Sequence, residues 1–309
     1  LTRLARAGRL AEVPAGARAI LERELNKVRV EQTLLFSRFE TMVSCLQGAG
    51  VDFFVHKGGA LASLVYDRVE DRPMVDIDIV FMPADWQRVR GALAAAGFRL
   101  PAGALESFWL ENYFNLSVTS AGDPPSHFDL HWSLTQEGRY HVPTRELFDR
   151  AVDLRLGELR LRRLCGEDLL LSLFLHLAYH YFEARLLWLY DMKLVIENLR
   201  PDWEVLLRRS SDWGLSTVTG FNLEYVEKVF PGAVPAEVLR SVRAGVLRRG
   251  LAAPLRSAAP SELFRWTESR LNQFVLGLLA IDRPADALAF ALDKVRRSAR
   301  WAGRRPRRR

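Results

Sequence analysis

Two aspartates lie two residues apart in a short apolar stretch, Asp76-Ile-Asp78-Ile-Val-Phe81. The alternation predicts a β-strand, and residues i and i+2 of a strand point to the same face of the sheet. Two neighbouring carboxylates repel each other unless a cation lies between them. Because Mg²⁺ prefers carboxylate and phosphate oxygens, the pair predicts a site for Mg²⁺, with Mn²⁺ as the alternative ion. A bare Asp-x-Asp pattern is also typical of the solvated face of an edge strand.

A pair of glycines precedes the acidic strand. Lys57-Gly58-Gly59 separates a predicted strand at 51–56 from a predicted short helix at 60–66. Glycines let backbone N–H groups approach phosphate oxygens at the start of a helix, and Lys57 adds a positive charge for phosphate. The spacing matches neither the P-loop nor the dinucleotide-binding fingerprint. We interpret the turn as a phosphate-binding element; an ordinary strand-to-helix turn is the alternative.

A third acid, Asp129, lies in Phe128-Asp-Leu-His-Trp132, a predicted strand at 127–132. A carboxylate among apolar neighbours needs a partner or a metal ion. In a two-metal site such an acid can hold the ion that activates the attacking hydroxyl, or act as its base. Arg72 is predicted to reach a phosphate or to orient one acid of the pair through a salt bridge. His131 is expected to face the opposite side of the sheet.

Four polar residues in the later, helical part of the chain are further candidates for nucleotide binding. His176 and His180 are spaced i, i+4, which suits one helical face, but position 177 lacks the glutamate of a zinc-protease motif. They are expected to line a cleft, or to pack in the helical core with hydrogen-bond partners. Arg185 and Asp191 are expected to contact a base or ribose, or to pair with each other.

The elements that must position these residues indicate an α+β fold. The sequence predicts a long N-terminal helix at 17–46, a small α/β unit that ends in a hairpin at 154–164, and an all-helical half from 167 onward. The predicted segments are an N-terminal helical segment at 1–49, an α/β core at 50–165, a helical domain at 166–295 and an Arg-rich tail at 296–309.

Composition narrows the class of protein. The chain has 309 residues, of which 49% are hydrophobic, which suits a folded globular protein. Its net charge is +7, but the last fifteen residues carry eight arginines and no acid, so the basic character belongs to the tail. Such a tail suits RNA or another anionic partner; a solvated terminus is the alternative. Two cysteines without a CxxC pattern argue against a disulfide framework or zinc ribbon. We expect no signal peptide, no membrane span and a cytoplasmic location.

The order of these motifs resembles the uncharacterised nucleotidyltransferase family of bacteria, within the DNA polymerase β superfamily. The resemblance rests on Lys57-Gly58-Gly59, Tyr66, Arg72-Pro-Met, Asp76-x-Asp78, Pro83 and Asp129-Leu-His-Trp132. It covers about 51–132 and extends weakly to His176 and to Trp188-Leu-Tyr-Asp191. Position 59 holds glycine where many members of the superfamily have serine, and the gap from Gly59 to Asp76 is longer than in the minimal superfamily pattern.

The resemblance implies a nucleotidyltransferase core built on a small mixed β-sheet, with a glycine turn at Gly58 and Gly59 and three metal-binding acids, Asp76, Asp78 and Asp129. It implies transfer of a nucleoside monophosphate from an NTP donor to an acceptor hydroxyl. The acceptor stays open among a small molecule, a peptide or protein, and a tRNA end as in toxin-type relatives. One alternative is a non-catalytic protein that binds a nucleotide or a partner. Another is a phosphohydrolase, for which His56 is the histidine close to the acid pair in sequence.

Overall fold

The computed structural model describes residues 13–136, 138–182, 185–244 and 270–304. The chain forms two compact units. The first contains the described residues up to Trp132 together with Thr144–Leu164, and the second contains those of Ser133–Pro143 and of the chain from Cys165 onward. Residues 1–12 of the predicted N-terminal segment and residues 305–309 of the predicted tail lie outside the described residues.

The first unit is built on a mixed sheet, as the family resemblance implies. Within the described residues its strands are β1 (Phe53–His56), β2 (Asp76–Phe81), β3 (Asn115–Thr119), β4 (His127–His131), β5 (Val152–Leu156) and β6 (Leu159–Arg163). Their order across the sheet is β3-β4-β2-β1-β6-β5. The β2–β4 and β1–β6 pairs are parallel and the other three are antiparallel, so the α+β class is confirmed. The predicted hairpin is β5–β6.

Four helices accompany this sheet: α1 (Ala15–Gly48), α2 (Lys57–Leu64), α3 (Trp86–Ala95) and α4 (Ala104–Asn112); α5 (Thr144–Asp149) belongs to the returning segment of the same unit. In α1 the residues Leu35, Phe39, Met42, Val43 and Leu46 recur at helical spacing and are buried. Strand β2 contributes Ile77, Ile79 and Phe81 to the same core. Since side chains alternate along a strand, the face of β2 that carries Asp76 and Asp78 is the one opposite these core residues.

The segment predicted as a Lys-Gly-Gly turn is the first turn of α2. Strand β1 ends at His56 and α2 begins at Lys57, without a separate loop. A Cβ atom added to Gly59 would lie 2.8 Å from both the Cγ2 of Ile77 and the Cγ1 of Val55. Glycine is therefore required at position 59 because the first turn of α2 packs directly on β1 and β2.

The second unit is helical. Its helices are α6 (Gly166–Tyr179), α7 (Leu186–Leu199), α8 (Trp203–Asp212), α9 (Ser216–Val229), α10 (Ala236–Ala244), α11 (Arg270–Leu279) and α12 (Pro284–Arg304). Residues 169–188 do not form one continuous helix, because Tyr181 and Phe182 adopt positive φ angles that end α6. Helix α12 includes 296–304, which the sequence assigned to the tail; the alanines and arginines there are good helix formers. No helix among the described residues is long and apolar enough to cross a membrane.

We predict that Gly59→Ala destabilises the protein. The new methyl group meets the branched carbons of Ile77 and Val55, and such overpacking costs about 1–3 kcal/mol. Gly91→Ala in α3 is the matched control, because a Cβ there meets no atom within 4 Å and alanine raises helix stability by about 0.5–1 kcal/mol. Urea unfolding measures both changes. If Gly59→Ala were as stable as the wild type, the close packing of α2 on the sheet would be wrong.

Candidate active site

The pairing of β2 with β4 brings the three acidic candidates together. These parallel strands place Asp78 directly opposite Asp129, and Asp76 lies two residues before Asp78 on the same strand. The charges of Asp78 and Asp129 both act on Asp76. Residues widely separated in sequence therefore form one cluster of carboxylates on one face of the sheet.

Asp76 carries the electrostatic cost of this arrangement. Burial, followed by the negative charges of Asp78 and Asp129, raises its pKa from 3.8 to about 6. The positive charges of Lys57 and Arg72 lower the pKa of Asp76, but they do not offset the effects of burial and of the two acids. A cation at the cluster would lower the energy of the ionised carboxylates, so the site has the electrostatics expected of a metal-binding position.

Asp78 is held by two donors. The Lys57 Nζ atom donates to Asp78 Oδ1 at 2.6 Å, and His131 Nε2 lies 2.9 Å from the same oxygen. Burial favours the neutral acid, but the Lys57 charge and the His131 hydrogen bond outweigh it and hold the pKa of Asp78 well below its ordinary range. Asp78 is therefore a carboxylate at neutral pH.

The position of His131 corrects the sequence-based expectation. We expected it to face the opposite side of the sheet, but it is two residues after Asp129 on β4, and alternation places both side chains on the same face. In the sequence, the Asp129-x-His131 spacing within a predicted strand already indicates that both side chains share one face.

His56 adds a neutral imidazole beside Asp78. It pairs with Asp78 across β1 and β2, and its ring centroid lies 6.1 Å from that of His131. Burial, followed by the charge of Lys57, lowers the pKa of His56 well below 6.5. His56 is therefore uncharged at neutral pH and adds no positive charge to the cluster.

Asp129 is oriented from the edge strand β3, by residues that the sequence analysis did not identify. The Ser117 hydroxyl donates to Asp129 Oδ1, and Asn115 Nδ2 lies 3.5 Å from Oδ2. The antiparallel register sets Ser117 opposite Asp129. The sequence pattern that could have identified them is the alternation of polar Asn115 and Ser117 with apolar residues in a predicted strand.

The donor set fits a divalent cation. Ligand atoms of Asp78, Asp129 and His131 all lie within 4.8 Å of one another. Asp76 is not one of these three residues, but the charges of Asp78 and Asp129 both act on it. Asp78 and Asp129 therefore form the centre of the acid cluster. Carboxylates suit Mg²⁺, and an imidazole ligand extends the range toward Mn²⁺ and other transition metals.

Arg72 lies against the glycine turn. Its side chain is buried, and a Cβ atom on Gly58 would overlap the guanidinium and lie 2.7 Å from the Sδ atom of Met74. Both glycines are buried. The Arg72 charge also favours the ionised form of Asp76, so this guanidinium adjoins both the first turn of α2 and the acid cluster.

The four later candidates lie in the second unit, outside the unit that contains the acids. The rings of His176 and His180 lie 4.7 Å apart, although α6 ends between them, and both rings contact Trp188. The guanidinium of Arg185 lies 5.0 Å from the Trp188 ring centroid, and Asp191 is fully buried in α7. Nucleotide binding by these four residues stays a prediction.

Comparison with known proteins identifies the family. A model of the family described as uncharacterised nucleotidyltransferase matches residues 1–231. The chain belongs to this family. Among solved structures, the chain is similar to the antibiotic-resistance factor ANT(2'')-Ia, with 13% identity, a TM-score of 0.41 and coverage of 72% of this chain and 96% of that one. It is also similar to the lincosamide antibiotic adenylyltransferase LnuA, solved with lincomycin, with 14% identity, a TM-score of 0.35 and coverage of 52% and 94%. A search of curated proteins gives no match.

We predict that Asp76→Asn stabilises the metal-free protein at neutral pH. The wild type loses stability as the pH rises from about 4 to about 6, because the folded state binds the Asp76 proton more tightly than the unfolded state. Asparagine removes this loss. The shift in pKa corresponds to at most about 3 kcal/mol, and partial solvent exposure reduces the gain to roughly 1–2 kcal/mol.

The measurement is urea unfolding in EDTA between pH 4.5 and 7.5. The free energy of the variant relative to the wild type should increase up to about pH 6 and then level off. Asp153→Asn, at an exposed position of β5, is the control and should show no such increase. A variant less stable than the wild type at pH 7 would contradict the repulsion among the three acids.

Proposed function

We propose that the protein is a Mg²⁺-dependent nucleotidyltransferase that transfers a nucleoside monophosphate from an NTP to an acceptor hydroxyl. The observation that carries this proposal is the register of β2 with β4, which sets Asp78 opposite Asp129 with Asp76 on the same strand. Membership of the nucleotidyltransferase family supports the reaction class. The raised pKa of Asp76 supports a cation at this position.

The three acids have separate roles in this proposal. Asp76 and Asp78 bind the metal and hold the donor phosphates through it, while Asp129 is directed at the acceptor hydroxyl and either holds a second ion or accepts the hydroxyl proton. Ser117 and Asn115 fix the orientation of Asp129. When bound, Mg²⁺ supplies charge neutralisation at the phosphate oxygens and at the attacking oxygen. Manganese is the alternative ion.

The first turn of α2 is the proposed phosphate site. Gly58 and Gly59 carry no side chain that would block the backbone N–H groups, and the positive end of a helix favours an anion. Lys57 and Arg72 add two cations at this end of α2, and Arg72 packs against Gly58. Backbone donors with two cations suit a triphosphate whose charge must be balanced before the α-phosphorus can be attacked.

A second candidate function is metal-dependent phosphate hydrolysis. The observation in its favour is His131, whose Nε2 contacts Asp78, with His56 close to it. A hydrolase of this kind would use metal-binding histidines near the paired acids, since imidazole is a suitable ligand for several transition metals. Products separate the two functions: nucleotidyl transfer moves the α-phosphate label of an NTP onto an acceptor and releases pyrophosphate, whereas hydrolysis gives unattached phosphate products.

We predict that one or more of the four NTPs raises the melting temperature of the protein only when Mg²⁺ is present. A ligand at about 100 times its Kd stabilises the native state by roughly 2.7 kcal/mol. With an unfolding entropy of about 2.1 cal/mol/K per residue, this raises the melting temperature of a chain of this size by about 4 °C. Asp78→Asn should abolish the Mg²⁺-dependent part of the shift because it removes a proposed metal ligand.

Thermal-shift titration with each NTP, with Mg²⁺ or with EDTA, provides the test. Asp153→Asn, at its exposed position on β5, should respond as the wild type does. A folded protein that gives no shift with any NTP, or a shift that Asp78→Asn leaves intact, would contradict the proposal.

A further inference from the structure

One oxygen of Asp78 already accepts two hydrogen bonds. Oδ1 lies 2.6 Å from the Lys57 Nζ atom and 2.9 Å from His131 Nε2. The Lys57 and Asp78 side chains are only 18% and 7% exposed, so water screens this ion pair weakly. A carboxylate oxygen offers about two lone-pair sites. A divalent ion that binds Asp78 through Oδ1 must therefore displace one of the two donors.

Lys57 is the donor that can move. His131 lies at the end of β4 with a side chain only 3% exposed, and its ring packs against Phe114 and near His56. Lys57 has a flexible four-carbon stem that keeps an exposed edge. Its backbone is also in the left-handed region, with φ +44°, which is costly for a residue with a Cβ atom. Such backbone strain is found where a side chain is held in a functional position.

The ammonium of Lys57 contacts Asp78 Oδ1, one of the oxygens that would bind the metal. Asp78 Oδ1 belongs to the carboxylate that groups with Asp129 and His131. A bound divalent ion and this ammonium would repel each other across a buried carboxylate. Lys57 is followed directly by Gly58 and Gly59, where the triphosphate is proposed to bind. A displaced ammonium therefore has a phosphate partner next to its own residue.

We propose that Lys57 competes with the divalent cation for Asp78, and that the NTP ends this competition by drawing the ammonium onto its phosphates. This inference rests on the proposed function and adds a form of regulation to the same site. The metal alone binds weakly, and metal and nucleotide bind with positive coupling. The enzyme thus excludes a metal ion that arrives without a nucleotide.

The test measures Mn²⁺ affinity and nucleotide affinity separately at one fixed pH. Mn²⁺ alone is titrated into metal-free protein and followed by the electron paramagnetic resonance of the free ion. A fluorescent ATP derivative is titrated in EDTA and followed by anisotropy. We expect Lys57→Met to bind Mn²⁺ about ten-fold or more tightly than the wild type and to bind the ATP derivative several-fold more weakly, which is within the usual range of coupling between sites.

Three further variants keep the interpretation clear. Lys27→Met, at an exposed Lys27–Glu31 pair in α1, is the control for loss of a lysine and should leave both affinities unchanged. Lys57→Arg keeps the positive charge and should keep the weak Mn²⁺ binding of the wild type. Lys57→Gln removes the charge that repels the ion, although its amide can still donate to Asp78, so it should also bind Mn²⁺ more tightly than the wild type. It replaces Lys57→Met in the test if that variant does not fold.

Opposite changes in the two affinities support the exchange of Lys57. If Lys57 had only a structural role, its replacement would weaken the binding of Mn²⁺ and of the ATP derivative together. An unchanged or weaker Mn²⁺ affinity in a folded Lys57→Met or Lys57→Gln variant overturns the inference. If neither the wild type nor the variants bind Mn²⁺ in a way that Asp78→Asn abolishes, the metal site of the proposed function itself is overturned.

Discussion

The repulsion between carboxylates on β2 and β4 is the constraint on which the rest of the first unit depends. Parallel pairing in register sets Asp78 against Asp129, with Asp76 beside them. A sheet tolerates this arrangement only when positive charge and hydrogen bonds surround it. Lys57 and His131 supply both at Asp78. Burial and the charges of Asp78 and Asp129 leave the ionised form of Asp76 unfavourable, which raises its pKa, and a bound cation would relieve this repulsion. In the proposed function, metal binding and local instability therefore have the same physical origin.

The opposite face of the sheet keeps these acids in place. Ile77 and Ile79 alternate with Asp76 and Asp78 and are fully buried in the core that α1 covers. Because a one-residue slip of β2 would turn the acids into the apolar core and move these isoleucines out of it, the core fixes the register on which the site depends. Gly59 contributes by letting the first turn of α2 approach the same strands closely. The first turn of α2 and the acids are thus positioned by one packed layer.

Local patterns in the sequence were sufficient to predict β2, β4, the long first helix and the terminal hairpin, because each has a clear periodicity or turn signal. The mixed character of the sheet was implied by the family resemblance. They also identified the acids that the structure brings together. The contacts of Lys57 and His131 with Asp78 were missed, since they depend on the strand register and on the direct start of α2 after β1. The end of α6 after Tyr179 was missed because a positive φ angle at Tyr181 has no strong sequence signal. The domain boundaries stay a prediction.

In the proposed function, Asp76, Asp78 and Asp129 gather a divalent cation for nucleotidyl transfer. Crystals of the protein with Mn²⁺ and a non-reactive NTP analogue, measured at the manganese absorption edge, are the decisive experiment. We predict an anomalous peak within bonding distance of the Asp78 and Asp129 carboxylates, with the triphosphate at the first turn of α2. A well-ordered acid cluster without a peak, or a manganese peak with the nucleotide phosphates bound elsewhere in the chain, would contradict the account.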